Sequence, residues 1–326
     1  MFRKIVLIML GLALVLSGCG SSQSTNEAGA LTKVSLPMGY IPNIQFAPFY
    51  VAVEKGYFKD AGLEIEFDYK FETDGVALVG AGQLPFAVVS GEQVLLARAK
   101  QLPVTYVAAW YQQYPVSVVA KSELGVIVPQ DLKGKKIGIP GLFGASYVGL
   151  RALLNAGKLK ESDVTLDTIG FNQVDLMAAK QQDIVVGYTA NEPIQLRARG
   201  IAVTEIRVAD YAQLASNGIL ASEKVIKENP ALVRAFIGAF LKGLQDTINN
   251  PNEAFTISEK YIPNFSQLDA TVQKQVLTTS IDEWQATRLG YSDPQAWENM
   301  QNVLLDMGLL TEKQDLSKAY TNEFIP

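Results

Sequence analysis

Short apolar runs that predict β-strands alternate with segments that predict helices from residue 32 to residue 208, and this pattern limits the fold more than any other feature. Such alternation indicates an α/β protein built from βαβ units with parallel strands and right-handed crossovers. In the first part of the chain, strands are predicted at 33–38, 63–69, 85–89 and 104–109, and helices at 48–55, 74–81 and 92–100.

The alternation continues after an aromatic and amide-rich stretch at 109–115, which predicts a crossover into a second lobe. A chain of this length is longer than one hydrophobic core usually accommodates, so we expect two lobes. A second crossover, between Val208 and Gly218, returns the chain, and the remainder is predicted to be mainly helical. We therefore expect one lobe from 32–113 with 214–326 and the other from 114–213. Strands in the second lobe are predicted at 116–120, 136–139, 164–169, 184–188 and 203–208, and helices at 129–132, 145–156, 173–180 and 191–199.

The amino-terminal segment has the pattern of a secretory signal. Arg3 and Lys4 precede an apolar run, and small residues lead into Cys19. The run is shorter than the about 20 apolar residues that a membrane-spanning helix needs. We predict a lipoprotein signal peptide at 1–18, lipidation of Cys19 and a flexible polar tether at 19–31. The protein would then be anchored at the outer face of the cytoplasmic membrane.

Composition removes several classes of enzyme. The chain has no histidine and one cysteine, so Ser-His-Asp and Cys-His catalysis and histidine-containing metal sites are excluded. The formal net charge is −5 and there is no basic run, which argues against nucleic-acid binding. We expect a binding protein that uses no cofactor. Catalysis by carboxylates alone and a structural or adhesive surface role are the alternatives.

Candidate ligand-binding residues lie in loops that follow predicted strands, where ligands of open α/β sheets bind. Those of the first lobe are Tyr40, Asn43, Gln45, Phe46, Ser90, Trp110 and Tyr111. Those of the second lobe are Phe143, Ser146, Tyr147, Tyr188, Asn191 and Glu192. A purely structural role is the alternative for each: the aromatic rings can pack in the core, while Ser90 and Asn191 can cap helices and Glu192 can interact with a helix dipole.

Four segments resemble extracytoplasmic solute-binding proteins of ABC importers, in the branch that includes nitrate-, sulfonate- and thiamine-pyrimidine-binding members. The segments are GYIPN at 39–43, KGYF at 55–58, DLKGKKIG at 131–138 and NEP at 191–193. The resemblance extends over nearly the whole chain after the predicted signal. It implies a two-lobed, type II-like periplasmic-binding-protein fold with two interlobe crossovers and a ligand in the cleft. It also implies a permease and an ATPase subunit as partners of a monomeric binding protein.

The resemblance identifies the ligand less clearly than it identifies the family. Members that bind formylated thiamine-pyrimidine precursors carry Asp-Trp before the first Pro-Asn, whereas this chain has Gly39-Tyr40. GYIPN followed by QFAPFY is more similar to riboflavin-binding relatives. Sulfonate and nitrate would favour a basic cleft, and the candidate loops offer none. We therefore expect riboflavin, with the pyrimidine precursor as the first alternative, followed by sulfonate or nitrate binding and by pyrimidine synthesis.

Overall fold

The computed structural model describes residues 31–326. The predicted signal peptide, Cys19 and all but the last residue of the predicted tether lie outside the described residues. Within residues 31–326, no helix is both long enough and apolar enough to cross a membrane.

The first part of the chain folds as alternating strands and helices, as the sequence pattern predicts. Its elements are β1 (Thr32–Pro37), α1 (Ala47–Glu54), α2 (Tyr57–Asp60), β2 (Leu63–Asp68), α3 (Glu72–Gly80), β3 (Phe86–Val89), α4 (Gly91–Ala99) and β4 (Val104–Ala109). A short 3₁₀ turn, Ile44–Phe46, precedes α1, and Pro48 occupies the first turn of that helix, where its missing N–H leaves no bond unmade.

The second part repeats the alternation in a separate five-stranded sheet. Its elements are β5 (Val116–Lys121), β6 (Lys136–Ile139), α5 (Gly144–Ala156), β7 (Thr165–Thr168), α6 (Gln173–Ala178), β8 (Ile184–Tyr188), α7 (Glu192–Ala198) and β9 (Val203–Arg207). The strand order is β7-β6-β8-β5-β9. The predicted short helix at 129–132 is a 3₁₀ turn.

The chain then returns to the first set of strands and ends in helices. These elements are β10 (Gly218–Ser222), α8 (Glu223–Glu228), α9 (Pro230–Asn249), α10 (Pro251–Ser258), α11 (Ala270–Trp284), α12 (Pro294–Asp306) and α13 (Leu316–Ala319). The prolines of the three Asn-Pro and Asp-Pro pairs each begin a helix, as predicted. Asn229 and Asp293 cap theirs with a side-chain oxygen, whereas Asn250 makes no such bond.

The strands are not all parallel, which corrects the prediction from the βαβ pattern. β10 lies antiparallel between β3 and β4, and β5 lies antiparallel between β8 and β9. Each is the first strand after the chain passes from one sheet to the other. No helix crosses over within the same sheet before it, so nothing imposes the parallel direction. β1 and β2 pair in parallel and β1 contacts β3, so β2-β1-β3-β10-β4 matches the order of the other sheet.

The α/β fold class and the two-lobed architecture are therefore confirmed, with crossings at 110–115 and 208–217. Both crossings run past the same edge of the two sheets. The carboxyl ends of the parallel strands and the amino end of the antiparallel β10 meet at that edge, and the loops at this edge form the site described below.

Candidate ligand-binding cavity

A cavity of about 820 Å³, counted to its opening to solvent, lies between the two sets of strands. Both sets contribute to its lining. The side that includes β1–β4 and β10 provides Met38, Gly39, Tyr40, Gln45, Phe46, Phe71, Glu72, Val88, Trp110, Tyr111 and Asn217, and the other side provides Pro140, Phe143, Gly144, Ala145, Ser146, Phe171, Gln173, Tyr188, Asn191 and Glu192.

Aromatic rings form one wall of the cavity, and a packed cluster behind the wall holds them. Phe46 and Trp110 lie 5.6 Å apart between ring centroids at an interplanar angle of 30°, and Trp110 contacts Trp284 at the same distance. Tyr111 stands edge-on to Trp110. Within the described residues, the buried Nε1 of Trp110 has no hydrogen-bond partner. The wall is therefore packed from behind and carries one unused donor.

Gln45 is held in place by its neighbours. The Asn43 side chain accepts a hydrogen bond of 2.9 Å from the Gln45 backbone N–H, which caps the 3₁₀ turn. The Gln45 Nε2 donates to Tyr111 Oη at 3.1 Å and to Ser280 Oγ at 3.2 Å. Asn43 thus supports the site from behind without lining the cavity.

Glu192 begins α7 at the far wall and is buried, with 4% of its surface exposed. The Tyr188 backbone N–H donates to its Oε2 at 2.7 Å, and Asn191 Nδ2 donates to Oε1 at 3.1 Å. Gly187 makes this position possible, because a Cβ there would lie 2.6 Å from the Glu192 carboxylate. Burial raises the pKa of Glu192, and the bonds from Tyr188 and the α7 backbone oppose the rise.

A second acidic group, Glu72, lies on the opposite wall at the start of α3. Its Oε2 accepts from the Ser90 backbone N–H at 3.2 Å and lies 2.5 Å from Ser90 Oγ, which also contacts Glu92. Ser90 and Glu92 are completely buried, whereas Glu72 is half-buried and lines the cavity. Burial, followed by the nearby Glu92 carboxyl, raises the pKa of Glu72 to about 8.

Polar and aromatic contacts connect the two walls. Asn217 Nδ2 donates to Tyr188 Oη at 3.1 Å and reaches Glu72 Oε1 at 3.4 Å. At the mouth, Tyr40 and Phe71 from one side meet the ring of Phe171 from the other, at centroid distances of 4.6 and 5.3 Å. Phe71 also meets Phe143 edge-on at 5.2 Å. These four residues, which we call the rim rings, bridge the mouth of the cavity.

The charges of the lining are unusual for an anion site. Glu72 and Glu192 line the cavity, and no Lys or Arg side chain does so among the described residues. Nor does any group of three or more Asp, Glu or Cys side chains within residues 31–326 stand close enough to hold a metal ion. The cavity can therefore offer aromatic faces, amides and carboxyl groups to a ligand.

Most of the residues singled out from the sequence line this cavity, and three do not. Asn43 and Ser90 lie behind it, bonded to Gln45 and Glu72 respectively. Tyr147 points away and donates to Glu161 Oε2 at 2.6 Å. The lining residues from the sequence set are Tyr40, Gln45, Phe46, Trp110, Tyr111, Phe143, Ser146, Tyr188, Asn191 and Glu192.

The missed lining residues include five with a polar or aromatic side chain: Phe71, Glu72, Phe171, Gln173 and Asn217. The first four lie in loops or helix starts that follow β2 and β7, so the rule that ligands bind at the carboxyl ends of strands could have found them. Asn217 precedes β10 instead. It reaches the cavity because that strand is antiparallel and its amino end lies at the ligand edge.

Two α/β halves with two chain crossings and a cavity between them define the periplasmic-binding-protein fold. The sequence comparison gives the family: the chain belongs to the NMT1/THI5 like family, whose profile matches residues 43–254.

The relatives carry different names. The chain is 41% identical over 345 residues to the riboflavin-binding protein RibY of Chloroflexus aurantiacus, with 99% of this chain and 98% of the relative covered. It is 27% identical over 305 residues to the formylaminopyrimidine-binding protein of Halalkalibacterium halodurans, with 91% of each covered. Among solved structures, the aliphatic sulphonate binding protein SsuA of Escherichia coli superposes with a TM-score of 0.69 at 13% identity, covering 88% of this chain and 91% of SsuA.

Proposed function

We propose that this protein is the solute-binding component of an ABC importer and that it captures riboflavin outside the cell for delivery to a membrane permease. The observation that carries the proposal is the aromatic cavity, to whose lining residues 31–326 contribute no Lys or Arg. The similarity to a protein named for riboflavin binding, at 41% identity over nearly the full length of both chains, supports the same ligand.

The charges of the cavity argue against anionic ligands. A sulfonate or nitrate held between Glu72 and Glu192 would face carboxyl groups without a compensating cation from the lining residues. Burying an unpaired charge is costly. Riboflavin is uncharged, and it combines a planar tricyclic ring with a chain of hydroxyl groups, so it suits this lining better.

The aromatic wall supports a stacked ring. Phe46 and Trp110 lie on one side with their ring planes tilted by 30° to each other, and Tyr188 comes from the other. Aromatic pairs add about 0.5–1.5 kcal/mol beyond the burial of their surface. A ligand acceptor near Trp110 Nε1 would also supply the hydrogen bond that this buried donor lacks.

Glu192 is our candidate for the polar edge of the ligand. Its carboxylate already accepts two hydrogen bonds from the protein and has lone pairs left for a ligand N–H or hydroxyl group. Asn191, which is fixed by a 2.8 Å bond from Gln195 to its Oδ1, would serve the same edge.

We further propose the lobe boundaries 32–113 with 214–326 and 114–213, which the division of the strands into two sheets supports. Closure around the ligand would bend the crossings at 110–115 and 208–217. The protein would act as a monomer, with a permease and its ATPase subunit as partners. We place it outside the cell and attach it to the outer face of the cytoplasmic membrane through lipid on Cys19.

The ligand proposal predicts that riboflavin fluorescence is quenched when the protein is added, because stacking on Tyr or Trp gives the excited flavin a nearby electron donor. Riboflavin, thiamine and the formylated aminopyrimidine should be titrated side by side. Thermal unfolding offers a second measurement, since a ligand at 100 times its Kd adds about 2.7 kcal/mol. If the pyrimidine stabilises the protein and riboflavin fluorescence is not quenched, the pyrimidine precursor and not riboflavin is the ligand. No response to any of the three would contradict both assignments.

The anchor proposal predicts that Cys19→Ser releases the protein from membranes. The serine hydroxyl cannot form the thioether through which a lipoprotein signal attaches its lipid. Membrane and soluble fractions of expressing cells should be compared by immunoblot after detergent-free washing. Ser22→Ala, in the same polar segment, is the control and should remain in the membrane fraction. A Cys19→Ser protein that stays with the membrane would show that lipid on this residue is not the anchor.

A further inference from the structure

Gln173 is a buried amide at the start of α6, two residues after Phe171 of the rim rings. Only 3% of its surface is exposed, and it lines the ligand cavity. Its Nε2 donates to the Val186 carbonyl oxygen of β8 at 3.3 Å. A backbone carbonyl can only accept a hydrogen bond, so this contact fixes which end of the amide is the nitrogen and turns Oε1 away from β8.

The end of strand β6 explains why the Val186 carbonyl needs a side-chain donor. β6 and β8 pair in parallel, with Gly138 opposite Val185. If this ladder continued, the N–H of residue 140 would reach the Val186 carbonyl, but residue 140 is a proline and has no N–H. Gln173 provides the missing donor. The sheet therefore holds one end of the amide in place.

The rest of the amide is available to a ligand. Within residues 31–326, no group donates to Gln173 Oε1, and Nε2 has a second hydrogen besides the one that Val186 accepts. A buried polar group without a partner costs free energy, so a ligand that provides the partners gains affinity. Acceptor and donor stand side by side on one planar group. They match a ligand edge on which an N–H lies next to an acceptor.

We infer that Gln173 determines ligand specificity by pairing, through both ends of its amide, with the edge of the flavin ring that carries an N–H between two carbonyl groups. Oε1 accepts from the ring N–H, and Nε2 donates to one of the neighbouring carbonyl oxygens. Amide side chains recognise adenine in the same way, through a donor next to an acceptor. The inference rests on the proposed function, because it assigns a contact of riboflavin within the same cavity.

The other polar group at this end of β8, Glu192, suits that ring edge less well. An ionised carboxylate can only accept, so pairing one of its oxygens with the ring N–H would bring the other against a ligand carbonyl oxygen. Glu192 already accepts two hydrogen bonds from the protein. Gln173 and Glu192 are bonded to the peptide groups on either side of Gly187, so they are neighbours. The ring edge then belongs to Gln173 and the hydroxyl groups of the ribityl chain to Glu192.

A methyl group on the ligand tests the pairing. The Kd values of riboflavin and of 3-methylriboflavin, in which the ring N–H is replaced by N–CH₃, should be measured at pH 7 by fluorescence quenching. The wild-type protein should bind the methylated flavin about 10- to 100-fold more weakly, because Gln173 Oε1 loses its donor. Gln173→Met has a similar size but no amide. It should bind riboflavin about 10- to 100-fold more weakly than wild type and should bind the two flavins within about threefold of each other.

Gln182→Met is the matched control, because it removes another buried amide from the same half of the protein. Gln182 is 4% exposed, contacts Asp167 and does not line the cavity. This variant should keep the wild-type Kd for riboflavin and the wild-type preference over the methylated flavin. A loss of that preference in Gln182→Met would count against a specific role of Gln173.

Two results would overturn the inference alone. One is equal binding of the two flavins by the wild-type protein, which would show that no group pairs with the ring N–H. This result does not depend on the folding of any variant, because only the ligand is changed. The other is a Gln173→Met protein that still prefers riboflavin as strongly as wild type, because another residue would then make the contact. Absence of riboflavin binding by the wild-type protein would instead contradict the proposed function, and the inference with it.

Discussion

Replacing Glu192 with alanine is expected to weaken riboflavin binding by about 100-fold, which corresponds to about 2.7 kcal/mol, while the free energy of unfolding changes little. Hydrogen bonds to charged groups contribute about 1.5–3 kcal/mol, and the substitution removes those that the carboxylate would make to the ligand. Stability changes less because two effects oppose each other. The Tyr188 N–H loses its acceptor, but a buried carboxyl whose pKa is raised by burial is also removed. Quenching titrations and urea unfolding at pH 7 measure the two quantities.

The sign of the stability effect of Glu192 follows from its titration. A carboxyl whose pKa is raised on folding costs stability once the pH exceeds its unfolded value, because the folded protein then resists an ionisation that the unfolded chain allows. Near neutral pH, Glu192→Ala removes this cost, which offsets the loss of the hydrogen bonds that the Glu192 carboxylate accepts. Glu161→Ala, at an acidic group of the same half outside the cavity, is the matched control and should leave the Kd unchanged. Glu192→Ala binding that equals wild type would remove Glu192 from the ligand site.

The glycine at position 243 is expected to be the most sensitive small residue of the long helix α9, with Gly243→Ala destabilising the protein by about 2–3 kcal/mol. Helix α9 packs against α1 so closely that a Cβ at Gly243 would lie 2.2 Å from the Pro48 carbonyl oxygen and 2.7 Å from Ala52 Cβ. Inserting a methyl group into a packed core costs about 1–3 kcal/mol, occasionally more. Because the contact is with the backbone of α1, we expect a destabilisation at the high end of this range. The better helix propensity of alanine offsets only part of it.

Gly238 lies on the same helix and provides a control with the opposite sign. A Cβ there would meet nothing within 4 Å, so Gly238→Ala should stabilise the protein by up to about 1 kcal/mol through helix propensity alone. Urea denaturation of both variants, with the ligand-free wild type alongside, gives the two differences. If both substitutions stabilise the protein, α9 and α1 can move apart at Gly243 without a loss of folding free energy, which would contradict the prediction.

The positions of strands and helix starts could be predicted because each depends on residues close together in sequence. The strand Val104–Ala109 is a buried run, and its predicted bounds are those of the structure. Pro230 begins α9 because proline fits a first helical turn. The direction of β5 and β10 could not be predicted in this way. Both are as apolar as their parallel neighbours, and only the path of the chain between the sheets makes them antiparallel.

The cavity residues likewise divide into those that the local sequence predicts and those whose position depends on tertiary packing. Ser146 and Tyr147 are consecutive residues of α5, about 100° apart around the helix axis, so when Ser146 lines the cavity Tyr147 points elsewhere. The phase of the helix, which tertiary packing decides, was not readable from the sequence. Glu72 was missed because an acidic residue at a helix start already has a local reason to be there. Its contact with Ser90, which is 18 residues away, appears only in the folded chain.

The rim rings have a consequence for the timing of transport. Phe71, Phe143, Phe171 and Tyr40 meet over the mouth, so under the proposed function a bound flavin would leave only after these rings part. Exchange is then limited by a motion of the protein, and raising the ligand concentration cannot accelerate capture beyond the rate of that motion. Residence time is thus controlled at the mouth and affinity at the walls. Under the proposed function, a permease that parts the rings would unload the protein quickly without any change in the residues that contact the ligand.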